Sequence, residues 1–187
     1  MDRRLFLKRG AASLSVPAVL ALASPAIAAE CTDVEVAFSP HGGAEALVLK
    51  TIAGARRSIR PMAYSFTSPS VVRALLAAKK SGVDVAVTVD YKNNVEEDRS
   101  GKARAALSAL TYAGVPVCVV SAFSLQHSKF FIADGETVQT GSFNYSRQAA
   151  FYNSENVMVL SGRADLAQAY LNNWREVTAL GEDYRAT

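Results

Sequence analysis

Runs of β-branched residues alternate with helical segments along most of this chain, and this alternation limits the folds open to it. Residues 83–90 are typical of a strand that is buried on both faces, as in a parallel sheet. A helical pattern at 71–80 precedes that run and ends at Ser81-Gly82. Parallel neighbours require right-handed crossover helices. The sequence therefore predicts the α/β class, with a mostly parallel mixed sheet and helices on both faces.

The length of the chain is consistent with one domain, since 187 residues can bury a sizeable core. Further strands are expected at 34–38, 58–65, 115–120 and 154–160, and further helices at 44–57, 101–112 and 164–180. Asp134-Gly135 favours a tight hairpin turn between an apolar run at 130–133 and a return strand at 136–140. That hairpin adds antiparallel pairing to the sheet.

The chemistry-bearing residues concentrate between positions 127 and 144. His127 and Lys129 share one face of an extended chain because strand side chains alternate. Imidazole can attack phosphorus or carry a proton near neutral pH, and an ammonium group neutralises phosphate oxygens. Ser142 and Asn144 add uncharged donors. An isolated His-x-Lys pair would be an ordinary solvated pair, but the joint pattern indicates phosphodiester cleavage.

This stretch resembles the His-x-Lys-x4-Asp-x6-Gly-Ser-x-Asn signature of the phospholipase D superfamily. The matching positions are His127, Lys129, Asp134, Gly141, Ser142 and Asn144. Outside the signature, residues 62–67, 77–85 and 153–156 are similar to the small bacterial endonucleases of that superfamily. The resemblance covers nearly all of the chain after residue 30, and it implies the α-β-α sandwich of that superfamily.

The resemblance also implies a two-step mechanism that uses two histidines, one as nucleophile and one as general acid. This chain has one copy of the motif, and His41, the only other histidine, lacks the companion residues. The second histidine is therefore expected from a second chain, in a two-fold homodimer with one composite site. Neither a metal nor another cofactor is expected, because lysine and asparagine supply the charge stabilisation.

Roles for the remaining site residues follow from the same resemblance. Lys129 and Asn144 would hold phosphate oxygens with help from Ser142. Glu155 would accept the second ring N–H of His127 and fix its tautomer. Asp134 lies too far along the hairpin to contact the substrate phosphate directly, so it is expected to support the site.

The first 28 residues are typical of an export signal of the twin-arginine type. Arg3-Arg4 precedes a moderately apolar stretch, and residues 26–28 offer a small-residue cleavage site. Residues 29–187 would then form the single nuclease domain, located in the periplasm or secreted. A transmembrane anchor is the alternative, but serines and prolines dilute the stretch. No stable membrane association is expected of the mature chain.

Removal of that signal changes the charge balance. The full chain has a formal net charge of +3, and residues 1–28 carry that same net excess, so the mature chain is close to neutral. A nucleic-acid surface must therefore be a local patch of positive charge.

Three further residues have open roles. Asp90 ends the strand at 83–90, where it either lies near a site or caps the next loop. Cys31 and Cys118 leave open a disulfide or, for Cys118, a buried thiol.

Three functions are compatible with this pattern. The first is a low-specificity endonuclease that cuts DNA, with RNA as a further substrate. The second is a lipid phosphodiesterase, since the motif does not select the alcohol on phosphorus. The third is a nucleic-acid-binding module with a decayed site, which the intact motif disfavours.

Three residues after the signature are further candidates for substrate contacts. Arg147 is a candidate phosphate contact. Phe151 and Tyr152 are expected in the core, and stacking on bases is the alternative for both.

Overall fold

The computed structural model describes residues 33–41 and 43–186. The predicted signal at 1–28 and Cys31 lie outside the described residues. The strands are β1 (Asp33–Ser39), β2 (Ser58–Ala63), β3 (Asp84–Val85), β4 (Val87–Asp90), β5 (Val117–Val120), β6 (Phe130–Ala133), β7 (Thr137–Gly141), β8 (Glu155–Ser161) and β9 (Glu182–Asp183). The helices are α1 (Gly43–Gly54), α2 (Pro69–Lys80), α3 (Lys102–Tyr112), α4 (Arg147–Phe151) and α5 (Ala164–Thr178), with a π-helical turn at Lys92–Glu96.

The described strands form one mixed sheet in the order β1-β8-β7-β6-β2-β4-β5-β9, with β3 beside β2. The α/β class and the mixed sheet are confirmed. The parallel part is narrower than expected, because only β2, β3, β4 and β5 pair in parallel. The physical reason lies in the second half of the chain, where the three-residue turn between β6 and β7 permits only antiparallel pairing, and where β8 also pairs antiparallel with β7.

Helices cover both faces of the sheet, as predicted. On one face α1, α2, α3 and α4 enclose the larger apolar cluster, which includes Ile59, Leu75 and Phe131. On the other face α5 packs over a smaller cluster around Met62 and Phe130. This alternation arises because successive residues of a strand point to opposite faces.

Two local differences from the predicted elements have clear causes. The strand expected at 83–90 is divided at Ala86, whose N–H donates to the Ile59 carbonyl at 3.2 Å between β3 and β4. Strand β9 was not predicted, because its acidic pair carries no apolar or β-branched signal. It pairs with β5 at Cys118 and Val119.

Cys118 is a buried free thiol in β5, which agrees with one of its two predicted states. Burial raises its pKa to about 11, and the carboxylates of Asp183 and Glu182 in the neighbouring segment raise it as well. The thiol is therefore protonated at neutral pH.

The topology brings distant segments to one edge of the sheet. The parallel strands β2, β4 and β5 end there at Ala63, Asp90 and Val120. Because β6 runs antiparallel to β2, with Met62 opposite Phe130, the residues that precede β6 lie at the same edge. The end of β7 and the start of β8 join them. This edge is where open α/β sheets place their sites. Within the described part of the chain, no helix is long and apolar enough to span a bilayer.

Candidate active site

His127 and Lys129 lie just before β6 at this edge. The His127 side chain is exposed, and its ring packs against Tyr64 with a centroid separation of 4.6 Å. Lys129 is buried, and its ammonium donates to the His127 carbonyl at 2.6 Å. The same ammonium lies 4.9 Å from the centre of the Tyr64 ring, in a cation–π contact. Tyr64 thus contacts both residues of the His-x-Lys pair.

The charge on Lys129 is set by two opposing effects. Burial lowers the pKa of its ammonium, and the nearby Glu155 carboxylate raises it, so that the pKa lies below its ordinary value. An ammonium has three N–H donors, and only the His127 carbonyl takes one of them within the described chain. Two donors therefore remain for the oxygens of a bound phosphodiester.

Glycine is the only residue type that fits position 141, at the end of β7. A Cβ atom there would lie 2.2 Å from the Asn156 carbonyl oxygen on β8, and the φ angle is +151°. This close approach lets the next residue reach β8. The Asn156 N–H donates to the Ser142 hydroxyl oxygen at 3.1 Å, and that hydroxyl donates to Glu155 at 2.5 Å.

Asn144 joins the signature to the segment after β2. Its Oδ1 accepts from the Ser65 N–H at 3.4 Å. The next residue strengthens the link, because the Tyr145 carbonyl accepts from Thr67 N–H and Ser68 N–H, each at 2.8 Å. The Asn144 side-chain amide has no acceptor within the described residues, so its N–H groups can face a substrate oxygen.

Glu155 lies at the site but does not make the contact expected of it. Its Oε2 accepts from the Ser142 hydroxyl and its Oε1 accepts from the Asn153 side chain at 2.8 Å. No hydrogen bond joins it to His127 within the described part of this single chain. The expected hydrogen bond from the His127 ring to Glu155 stays a prediction. In this single chain Glu155 orients Ser142 and balances the charge of Lys129.

Asp134 lies away from the other residues of the signature. It has a positive φ of 59° in the β6–β7 turn, and its Oδ1 accepts from the N–H groups of Arg57 at 2.6 Å and Ser58 at 2.9 Å. Ser58 begins β2, whereas the site lies at the opposite end of that strand. Asp134 thus fixes the junction of α1, β2 and the hairpin, and its expected role as an indirect support of the site stays a prediction.

A buried polar network behind the site escaped sequence reasoning. Asn94 is fully buried, with its Oδ1 accepting from Phe66 N–H at 2.9 Å and its amide donating to the carbonyls of Tyr64 at 2.6 Å and Asp90 at 2.8 Å. Asp90 in turn accepts from Gln126 N–H at 2.8 Å, one residue before His127. The polar composition of residues 91–100 predicts only a loop, in which Asn94 is indistinguishable from solvated neighbours.

Taken together, these groups suit the binding of a tetrahedral phosphate at this edge of the sheet. The exposed imidazole and the buried ammonium belong to the segment before β6, and the free amide of Asn144 belongs to the segment after β7. Within the residues that the structure describes, no three His, Cys, Asp or Glu side chains group as metal ligands.

Comparison with known proteins identifies relatives of two named kinds. A family model described as "Cardiolipin synthase, PLD-like domain" matches residues 48–177. A protein named phospholipase D from Rickettsia bellii is 33% identical over 141 residues, which are 75% of this chain and 67% of that protein. Mitochondrial cardiolipin hydrolase of Xenopus laevis is 32% identical over 146 residues, 78% of this chain and 65% of that protein. The match thus spans about two thirds of these relatives' length.

Solved structures share the fold. Nuc from Salmonella typhimurium, a phospholipase D family member, aligns with a TM-score of 0.79 and 42% sequence identity, over 82% of this chain and 99% of that chain. NucT from Helicobacter pylori aligns with a TM-score of 0.72 over the same shares at 20% identity, which concerns the fold alone. The predicted sandwich fold is therefore confirmed.

The Asp134 contacts predict a specific pH dependence of stability. Partial burial acts to raise the pKa of this carboxyl, but the N–H groups of Ser58, Arg57 and Arg56 and the Arg57 charge outweigh it, so the pKa lies below its ordinary value. A carboxyl with a lowered folded-state pKa stabilises the fold above the unfolded-state pKa of about 4, and this contribution is lost as pH falls through the folded-state pKa. Asp134→Asn should lower the free energy of unfolding by about 1 to 2 kcal/mol at neutral pH.

Urea unfolding of both proteins between neutral and strongly acid pH measures this difference. It should shrink as the pH falls below about 4. Glu176→Gln, which alters an exposed carboxylate with no hydrogen bond in the described chain, is the control and should leave the pH dependence unchanged. An Asp134→Asn difference that stayed constant over the whole range would contradict the assignment.

Proposed function

Because the chain belongs to the phospholipase D superfamily of phosphodiesterases, we propose that it is a metal-independent endonuclease of low sequence specificity. Its substrate is DNA, with RNA as a further substrate. The observation that carries this proposal is the alignment with Nuc, which extends over 99% of that chain at 42% identity. The similarity of residues outside the signature to small single-motif endonucleases supports it further.

In the first chemical step the His127 imidazole attacks phosphorus. A nitrogen–phosphorus bond forms while the bond to the leaving oxygen breaks, and a second imidazole transfers a proton to that oxygen. In the second step this other imidazole accepts a proton from water, whose oxygen attacks phosphorus and releases His127. His127 suits the first role because its ring is exposed and held against Tyr64.

The developing negative charge falls on the non-bridging phosphate oxygens. The two free N–H donors of Lys129 and the amide of Asn144 stabilise it. Burial of the ammonium strengthens this interaction, because charges attract more strongly where water is excluded. With these donors in place, no step requires a divalent ion. Ser142 holds the position of Glu155 through its hydroxyl.

The second imidazole comes from a second copy of the chain. His41, the other histidine, is exposed in the turn between β1 and α1, and no hydrogen bond or ring contact joins it to His127 in the described structure. A two-fold homodimer that brings both His127 rings to one phosphorus supplies the nucleophile and the acid together. Glu155 and Lys129 from both protomers would then border one composite site.

A lipid phosphodiesterase is the second candidate function. It is favoured by the names of the Rickettsia and Xenopus relatives, phospholipase D and mitochondrial cardiolipin hydrolase. Those proteins are longer than the matched segment, whereas the Nuc alignment covers nearly that whole chain. The nuclease is therefore the better supported function.

The proposed location is the periplasm or the extracellular medium, on the basis of the twin-arginine pattern at the N-terminus. N-terminal sequencing of protein recovered from the periplasm should find a chain that begins near Ala29. Recovery of only the full-length chain from the cytoplasm would contradict this location.

Plasmid digestion in excess EDTA tests the nuclease and its metal independence together. The parent protein should cut plasmid and single-stranded DNA, while His127→Ala should lose at least about 10³-fold in rate because it lacks the nucleophile. His41→Ala is the matched control and should retain full activity. A folded parent that hydrolyses phosphatidylcholine vesicles but leaves DNA intact would contradict the nuclease and favour the lipid enzyme.

Subunit mixing tests the composite site. Parent protein refolded from urea with a threefold excess of His127→Ala subunits should keep about a quarter of its activity, because random pairing leaves few dimers with two intact histidines. A threefold excess of His41→Ala subunits, assayed with DNA as substrate, should cause no loss. Activity that is unaffected by His127→Ala subunits would show that each protomer works alone.

A further inference from the structure

A large groove opens beside the active site on the helical face. It has a volume of about 830 Å³ and lies between α2, α3 and α4. Ser65 and Ser146 line it, and both belong to the segments that hold Asn144. The groove therefore begins next to the catalytic edge and extends away from it.

Three cations from three different helices line this groove: Arg73 of α2, Lys102 of α3 and Arg147 of α4. All three side chains are exposed, and none forms an ion pair with a carboxylate of the described residues. Of the described residues that line the groove, none is acidic. Lys102 is the first residue of α3, where the helix dipole disfavours a positive charge, so helix stability does not account for it.

The groove surface between these cations is mainly apolar. Val72, Leu76 and Ala106 form part of it, and Tyr152 stands at its margin with 66% of its surface exposed. The prediction that Phe151 and Tyr152 lie in the core is therefore wrong, since both are exposed. Exposed aromatic rings beside cations offer stacking faces for bases and contacts for phosphates.

We propose that this groove binds the single-stranded nucleic acid that flanks the scissile phosphodiester. The proposal rests on the nuclease function and specifies where the substrate strand lies. Arg73 and Lys102 contact its phosphates and Tyr152 stacks on a base. A nucleic-acid strand carries a negative charge at every phosphate, so successive phosphates can contact cations on three separate helices. A phospholipid carries its charge at the headgroup alone.

The test uses His127→Ala protein, which binds substrate without cutting it, and a short fluorescent single-stranded oligonucleotide. In that background the pair Arg73→Ala and Lys102→Ala should weaken binding roughly fivefold to tenfold at moderate salt. The slope of log affinity against log salt should become less steep by about 1.4, because two phosphate contacts are lost. Tyr152→Ala should weaken binding roughly tenfold.

Matched controls remove the same groups elsewhere on the surface. Lys80→Ala with Arg175→Ala deletes two exposed positive charges outside the groove, and Tyr112→Ala deletes an exposed ring at the far end of α3. Both controls should bind the oligonucleotide as the parent does. In the active background, the groove variants should hydrolyse the small diester bis(p-nitrophenyl) phosphate at the parent rate, because that substrate does not reach the groove.

The outcomes separate the groove from the nuclease function itself. A parent that cuts DNA, with groove variants that bind as tightly as the controls, overturns the groove alone. Equal loss of small-diester turnover overturns it as well, since the residues would then act through the site. A parent that turns over the small diester but neither binds nor cuts DNA overturns the nuclease and the groove together. Groove variants that impair only the hydrolysis of phosphatidylcholine vesicles assign the groove to lipid.

Discussion

Strand β2 pairs with β4 in the parallel sense and with β6 in the antiparallel sense, and the geometry of the site follows from this double pairing. The parallel partner ends at Asp90 beside the end of β2. The antiparallel partner begins there, so that His127 and Lys129 precede it at the same edge. A one-residue shift in the pairing register of β6 would move each of its side chains to the opposite face of the sheet. His127 and Lys129 would then point away from the site. The apolar clusters on both faces of the sheet therefore fix the register of the His-x-Lys pair.

Behind this edge, the fully buried side-chain amide of Asn94 is satisfied by hydrogen bonds at both its oxygen and its nitrogen. Asn94 uses its carbonyl and its amide to tie the backbone at Phe66, Tyr64 and Asp90. A buried amide without such partners would cost about 1 to 3 kcal/mol, so the network specifies one arrangement of the loops. Tyr64, held in this way, carries the contacts to His127 and Lys129. His127 and Lys129 are thus positioned from behind by Tyr64, a residue outside the signature.

The sequence was sufficient for the fold class and for most of the residues that meet at the site, because the signature residues are close in the chain and flank a single hairpin. Long-range contacts were not accessible in this way. The separation of Asp134 from the site depends on its hydrogen bonds to Arg57 and Ser58, more than 70 residues earlier. Glu155 is turned toward Ser142 by the close approach of Gly141 to β8, which no periodicity reveals. Asn94 is buried within a segment whose composition is that of a solvated loop.

The proposed two-step chemistry requires that His127 become covalently bonded to phosphorus during turnover. Rapid quenching of the reaction with a ³²P-labelled oligonucleotide, followed by digestion and mass spectrometry, tests it directly. We expect an acid-labile, alkali-stable label on the peptide that contains His127, formed and discharged at rates compatible with turnover. Turnover without protein-bound label, or with the label on Ser142 instead, would contradict it.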